Sequence, residues 1–133
     1  MPFTPTSNSN GTSVNANQYF KYGLDYYFDT SDTTASSNLT AGGYDLSDVD
    51  DITNWDTSNV TDMSNAFKDR AAFNEDIGNW NTSNVTLMTA MFWTQHTFNQ
   101  NIGTKQVTDS DGNQYTAWNT SKVTDMGSMF IGA

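Results

Sequence analysis

Large apolar residues recur in lockstep from Trp55 onward. They fall at Trp55, Val60, Met63, Phe67, Phe73 and Ile77, and again at Trp80, Val85, Met88, Phe92, Phe98 and Ile102, each 25 residues after its counterpart. The intervening polar residues repeat too: Trp55 to Met63 reads WDTSNVTDM, Trp80 to Met88 reads WNTSNVTLM, and Trp118 to Met126 reads WNTSKVTDM. A fixed period in the twenties marks an array in which each unit is one superhelical turn, too small to bury its own apolar face. Stacking on neighbours is then obligatory.

Within a unit, Thr57-Ser58-Asn59-Val60 is short, polar and β-compatible, while Met63 and Phe67 form an i, i+4 apolar pair behind Thr61, a suitable helix N-cap. The fold class predicted is an α/β repeat, a leucine-rich-repeat-like solenoid of 25-residue coils, each a short strand plus a short helix. Val123, Met126 and Phe130 complete the repeat core in the third unit. That unit starts late, because Trp118 follows Trp80 by 38 residues, 13 more than the period of 25. The excess falls in residues 104–117, where β-compatible residues flank Asp109-Ser110-Asp111-Gly112-Asn113 and predict a hairpin. Insertions in such arrays project from one face and often serve recognition, so Asp109, Asp111, Gly112, Asn113 and Tyr115 form the expected contact loop.

The chain divides into a polar extended arm (1–18), an aromatic and acidic cap segment (19–53) and the array (54–133). Terminal repeats need covering, and Tyr19, Phe20, Tyr22, Tyr26, Tyr27 and Phe28 crowd the segment placed to do it; an anchor for a partner is the alternative role. At the other end the sequence reaches Ala133 before supplying counterparts of Phe73 and Ile77. The last coil therefore reads as missing a neighbour, either more of the same array or another molecule.

Charge removes several partner classes. Five Lys and Arg against 15 Asp and Glu give a net charge of -10, which repels phosphate backbones and anionic lipid. No apolar run suits a membrane span, and MPFTPTSNSNGTSVNANQ carries neither the basic nor the apolar region of a signal peptide. The absence of cysteine excludes disulfides, Cys-ligated zinc and thiol catalysis. Abundant Ser, Thr and Asn suit the hydrogen-bonded surfaces of extracellular and virion proteins.

Candidate chemistry is sparse. His96 occupies the position equivalent to Ala71, and no nucleophile-His-carboxylate pattern accompanies it; no catalytic residue and no cofactor are predicted. Asp109, Asp111 and Asn113 alternate as in calcium loops, but glycine stands fourth instead of sixth and no glutamate stands twelfth. They read as a turn, with calcium the weaker reading. Asp45, Asp48, Asp50 and Asp51 read as a solvated face. Trp55, Trp80 and Trp118 could stack on sugars, but their lockstep with Val, Met and Phe places them in the core. Thr57, Thr82 and Thr120, with Ser58, Ser83 and Ser121, are expected to bond to the backbone of neighbouring coils.

The motif W-[DN]-T-S-x-V-T-x-M-x-x-M-F followed by F-N-x-x-I-G resembles the BspA-like short repeat of bacterial surface proteins and lipoproteins, over Ile52 to Ala133. Ala66 departs from the Met found at Met91 and Met129, and Lys122 replaces the Asn of Asn59 and Asn84. The resemblance implies a leucine-rich-repeat-like solenoid on a cell surface or virion, used for adhesion or as a spacer, with no catalytic residues to carry over. Together with the missing export signal, the arm and the unfinished coil, it leads to the expectation of a non-enzymatic bacteriophage virion component, a capsid decoration or tail-fibre-related module. Its partners would be virion proteins or copies of itself. A fragment of a bacterial cell-surface adhesin is the alternative, and a calcium-dependent carbohydrate-binding module the third.

Overall fold

A computed structural model describes residues 2–132. Its N-terminal part is helical: α1 (Ala16–Phe28), α2 (Thr33–Ala41) and the single turn α3 (Leu46–Val49) precede the array. Each begins at a polar cap that accepts a first-turn N–H: Asn15 from Gln18, Asp32 from Ala35, Asp45 from Ser47. Such caps satisfy donors that a helix leaves without internal partners. On α1 the buried residues Ala16, Tyr19, Phe20, Gly23 and Leu24 repeat at three- and four-residue spacing, the stripe of a helix lying on a core.

The stretch expected to extend as an arm is instead folded onto these helices. Phe3 is 1% exposed and meets Trp55 edge-on with centroids 4.9 Å apart. It reaches that place because residue 23 is glycine; a Cβ there would lie 2.5 Å from the Phe3 ring. Asn8 and Asn10 take left-handed conformations that turn the chain back. Ser9 Oγ then donates to Gly42 O at 2.6 Å, Asn10 Nδ2 donates to Ala41 O at 3.1 Å, and Ser7 Oγ accepts from Ala16 N–H at 2.9 Å. One buried ring and local polar bonds suffice to order a segment whose composition reads as solvated.

The repeat units stack in parallel, with equivalent residues side by side across a step of 25 residues and then, past the insertion, one of 38. Single parallel bridges join Asp62 to Leu87 and Leu87 to Asp125. Below them runs a one-directional ladder. The N–H groups of Met63, Asn65, Phe67 and Asp69 donate to the carbonyls of Leu87, Thr89, Met91 and Trp93, and those of Met88, Ala90, Phe92 and Thr94 donate to Asp125, Gly127, Met129 and Ile131.

This ladder overturns the predicted strand-plus-helix coil. Among the described residues no helix lies beyond Asn54, since the N–H groups a helix would bond internally are given to the next coil. Asn65 and Asp69, like Ala90 and Thr94, have φ near +60°, so the chain advances by successive reverse turns. Nor is Thr57–Val60 a strand: Asp56 Oδ1 accepts from Ser58 N–H and Val60 N–H bonds to Thr57 O, curling it into a turn. Asn81 and Asn119 repeat that corner.

Columns of side chains fill the inside. Trp55 and Trp80 stack at 5.9 Å, Phe67, Phe92 and Phe130 follow at 5.5 Å steps, and Phe73 and Phe98 stack at 5.8 Å. Each indole N–H finds a carbonyl earlier in the chain: Trp118 that of Ile77 in the first coil, and Trp80 and Trp55 those of Ile52 and Val49 in the cap. Thr57 and Thr82, both fully buried, donate to Asn81 O and Asn119 O of the next coil. The neighbouring serines do not follow: Ser83 Oγ donates to Asn81 of its own coil.

Trp55, Val60, Met63, Phe67, Phe73, Ile77, Trp80, Val85, Met88, Phe92 and Trp118 are buried, and Phe98, Ile102 and Val123 partly so. Two residues expected in the repeat core are not in it: Met126 is 44% and Phe130 55% exposed. Both stand on the outer side of the third coil, with no coil beyond them among the described residues.

Candidate functional site

The insertion is a two-stranded antiparallel hairpin, β1 (Lys105–Thr108) paired with β2 (Gln114–Ala117). Its tip is closed by Asp109, whose Oδ1 accepts from the N–H groups of Asp111 and Asn113, while its backbone bonds to Asn113 O and Gly112 N–H. Gly112 has φ +84°, a conformation costly for any residue with a Cβ. Asp109, Asp111, Gly112 and Asn113 are all exposed and Tyr115 is half-buried.

Tyr115 anchors the hairpin to the array: its hydroxyl donates to Asn79 O at 2.5 Å. Burial, and then the charges of Asp56 and Asp109, raise its pKa above the ordinary phenol value. Where the hairpin returns, Trp118 is held at φ +53° as its N–H reaches Trp80 O. A bulky residue in that conformation is uncommon, and here the coil-to-coil bond and the buried indole hold it there.

Between hairpin and array lies an open cleft of about 540 Å³. It is lined by Thr4, Asp56, Asn79 and Asn81 and, from the hairpin, by Asp109, Asp111 and Tyr115. The lining holds three carboxylates and no Lys, Arg or His, so it suits neutral or cationic groups. Sequence reasoning located the hairpin lining but missed Asp56, Asn79 and Asn81. These belong to the repeat corners, and only the fold of the insertion brings them near the hairpin.

The other candidates scatter. Asp109 Oδ1 is turned onto its own loop, and among the described residues no three His, Cys, Asp or Glu side chains gather so as to hold a metal ion. Asp45 caps α3, Asp51 Oδ1 accepts from Thr53 Oγ, and His96 is exposed. No helix among the described residues is long and apolar enough to cross a membrane.

Asn17 was not foreseen at all. Its Oδ1 accepts from the N–H groups of Thr61 (2.8 Å) and Asp62 (3.2 Å), and its Nδ2 donates to Thr61 Oγ1 at 2.8 Å. In later coils the N–H equivalent to that of Thr61 goes to a backbone carbonyl instead: Thr86 to Thr61 O, Thr124 to Thr86 O. One side-chain amide thus stands in for a preceding coil.

A family model described as "Mycoplasma protein of unknown function, DUF285" matches residues 12–133. No curated protein and no solved structure matches the chain.

Proposed function

From the premise that the chain belongs to the DUF285 family of Mycoplasma proteins, we propose that it is a non-enzymatic interaction module: a BspA-like, leucine-rich-repeat-like solenoid that offers surface to other proteins. The observation that carries this reading is the hairpin. It is the one departure from the period, its tip is exposed, and Tyr115 fixes it beside a cleft instead of leaving it loose. Rigid presentation of a loop lowers the ordering cost of binding.

Two places of display follow. On a virion the module would be a capsid decoration or fibre-related part; on a cell it would belong to an adhesin. The folding of residues 2–15 onto the cap removes the free arm that favoured the virion. Intact-mass and sedimentation analysis of the protein from its source decides between them: a cell-envelope fraction supports the adhesin, co-sedimentation with particles supports the virion component. Release as a free monomer from both, with no partner captured through the hairpin, would sink the interaction reading itself.

A further inference from the structure

The cleft carries more charge than the fold around it requires. In each coil one side chain turns the corner by accepting an N–H two residues on: Asp56 from Ser58, Asn81 from Ser83 and Asn119 from Ser121, all at 3.0 Å. A neutral amide suffices in the second and third coils, so the carboxylate of Asp56 adds a charge that the turn does not need. On the hairpin, Asp109 Oδ1 closes the tip, whereas the Asp111 carboxylate accepts no hydrogen bond among the described residues. None of the three is ion-paired among the described residues. The hairpin's own cation, Lys105, brings its Nζ beside Gly78, and neither residue belongs to the lining.

Shape and chemistry narrow what cation can enter. About 540 Å³ is far more room than a bare ion fills, and the carboxylates do not gather so as to hold a metal. Tyr115 has its hydroxyl committed to Asn79 O, so what it still offers the cleft is its ring. Burial first, and then the charges of Asp56 and Asp109, raise the Tyr115 pKa, so carboxylates of the array and of the hairpin act on one ring. Carboxylates beside an aromatic ring suit a guanidinium, which is planar, stacks on aromatic faces and carries five donors in a fixed fork. The protein already houses one in this way: Arg70 lies 4.4 Å over the Phe28 ring and 3.3 Å from Asp25 Oδ1. Arg70 is the sequence's one arginine, so a second copy has no free guanidinium to offer.

We propose that the cleft between hairpin and array binds an arginine side chain of a partner protein, its guanidinium stacked on the Tyr115 ring and paired with the carboxylates of Asp56 and Asp111. The array supplies one carboxylate and the hairpin the other, so the site exists only where the insertion folds over a repeat corner. Asn79 and Asn81 add amides for the backbone on either side of the arginine. The inference deepens the interaction role proposed above and rests on it. Fractionation tests that role and peptide titration tests the cleft, so either can fail alone.

The probes are blocked pentapeptides of glycine and serine with arginine, lysine or citrulline at the centre, titrated into the full-length ¹⁵N-labelled protein. The arginine peptide should give saturable shifts at Asp56, Asn79, Asn81, Asp111 and Tyr115, with Asn17 and His96 unmoved. Citrulline keeps the shape without the charge and should bind at least about tenfold more weakly. Lysine, a point charge without the planar fork, should also bind more weakly. Asp56→Asn installs the residue that turns the other two corners, and it should weaken the arginine peptide about threefold, as should Asp111→Asn. Glu75→Gln removes the same charge outside the lining and should change nothing. Absence of the shifts, their spread over the whole surface, citrulline or lysine binding as tightly as arginine, or equal weakening by Glu75→Gln would each overturn the proposal. So would the same shifts on concentrating the protein alone, which would put a second copy in the cleft.

Discussion

The two ends of the stack are built on the same repeat sequence and finished in opposite ways. At the first coil a helix lies across the outer face, Asn17 meets the Thr61 and Asp62 amides, Val49 receives the Trp55 indole, and Phe3 and Phe20 pack against that ring. At the third coil the same positions meet solvent. Phe67 is fully buried while Phe130 is 55% exposed, although both occupy one place in the repeat. Burial here belongs to the stack and not to the residue, which is why a period alone misassigns the terminal unit.

The sharpest way to break this comparison is a matched pair of truncations. Phe67→Ala opens a cavity in the sealed part and should cost about 3–5 kcal/mol, read from urea unfolding. Equal losses for Phe67→Ala and Phe130→Ala would mean that the third coil is covered in solution. Phe3→Ala should come next, at about 3 kcal/mol, with residues 2–15 becoming open to limited proteolysis; an unchanged cleavage pattern would show that the segment is not pinned by its ring.

Asn17→Ala removes acceptors from two amides at the rim and should cost about 1–2 kcal/mol, with faster hydrogen exchange at Thr61 and Asp62 specifically. Phe130→Ala should cost under about 1 kcal/mol, the range of a surface change. The smallest effect is the acid response of the cap. Hydrogen bonds from Ser47 lower the Asp45 pKa and those from Ser31 lower that of Asp29. A depressed carboxylate stabilises the fold above its unfolded pKa and loses that contribution as pH falls through the folded one, so their loss sets in as pH falls toward and below the ordinary value of 3.8. Asp25 has the opposite sign: burial raises its pKa despite Arg70 at 3.3 Å, so mild acid relieves a penalty. Thermal melts from pH 7 to 3 should show Asp45→Asn blunting the late acid loss and Asp25→Asn blunting the earlier relief; identical profiles for both would refute the assignment.

How much of this was legible depends on what each signal measures. The burial of Trp55, Trp80 and Trp118 can be read from their place in the repeat, because translation along a stack turns a linear period into contact. The hairpin can be read from the length mismatch before Trp118 and from the Asp109–Asn113 turn. The i, i+4 pair Met63 and Phe67 misled, because two reverse turns advance the chain by the same four residues as one helical turn. Of the left-handed positions, Asn65 hints at the turn but Ala90 and Thr94 do not; the coil-to-coil bonds hold them there. Phe3 and Asn17 left no periodic trace, since each acts once. The cleft needed the hairpin folded back over Asn79 and Asn81, which no local pattern encodes.

The placement of the seal has a consequence for how the protein is made. A ribosome delivers the N-terminus first, so the helical cap can form before the first coil has left the exit tunnel. Each later coil then emerges onto a finished surface and joins as it appears, so that assembly proceeds outward from the cap. A seal at the opposite end would leave every coil waiting, apolar and unpaired, until translation was complete. Fusing the chain to an arrest sequence at successive lengths would reveal this order as folding force that begins with the cap and rises again as each coil clears the tunnel.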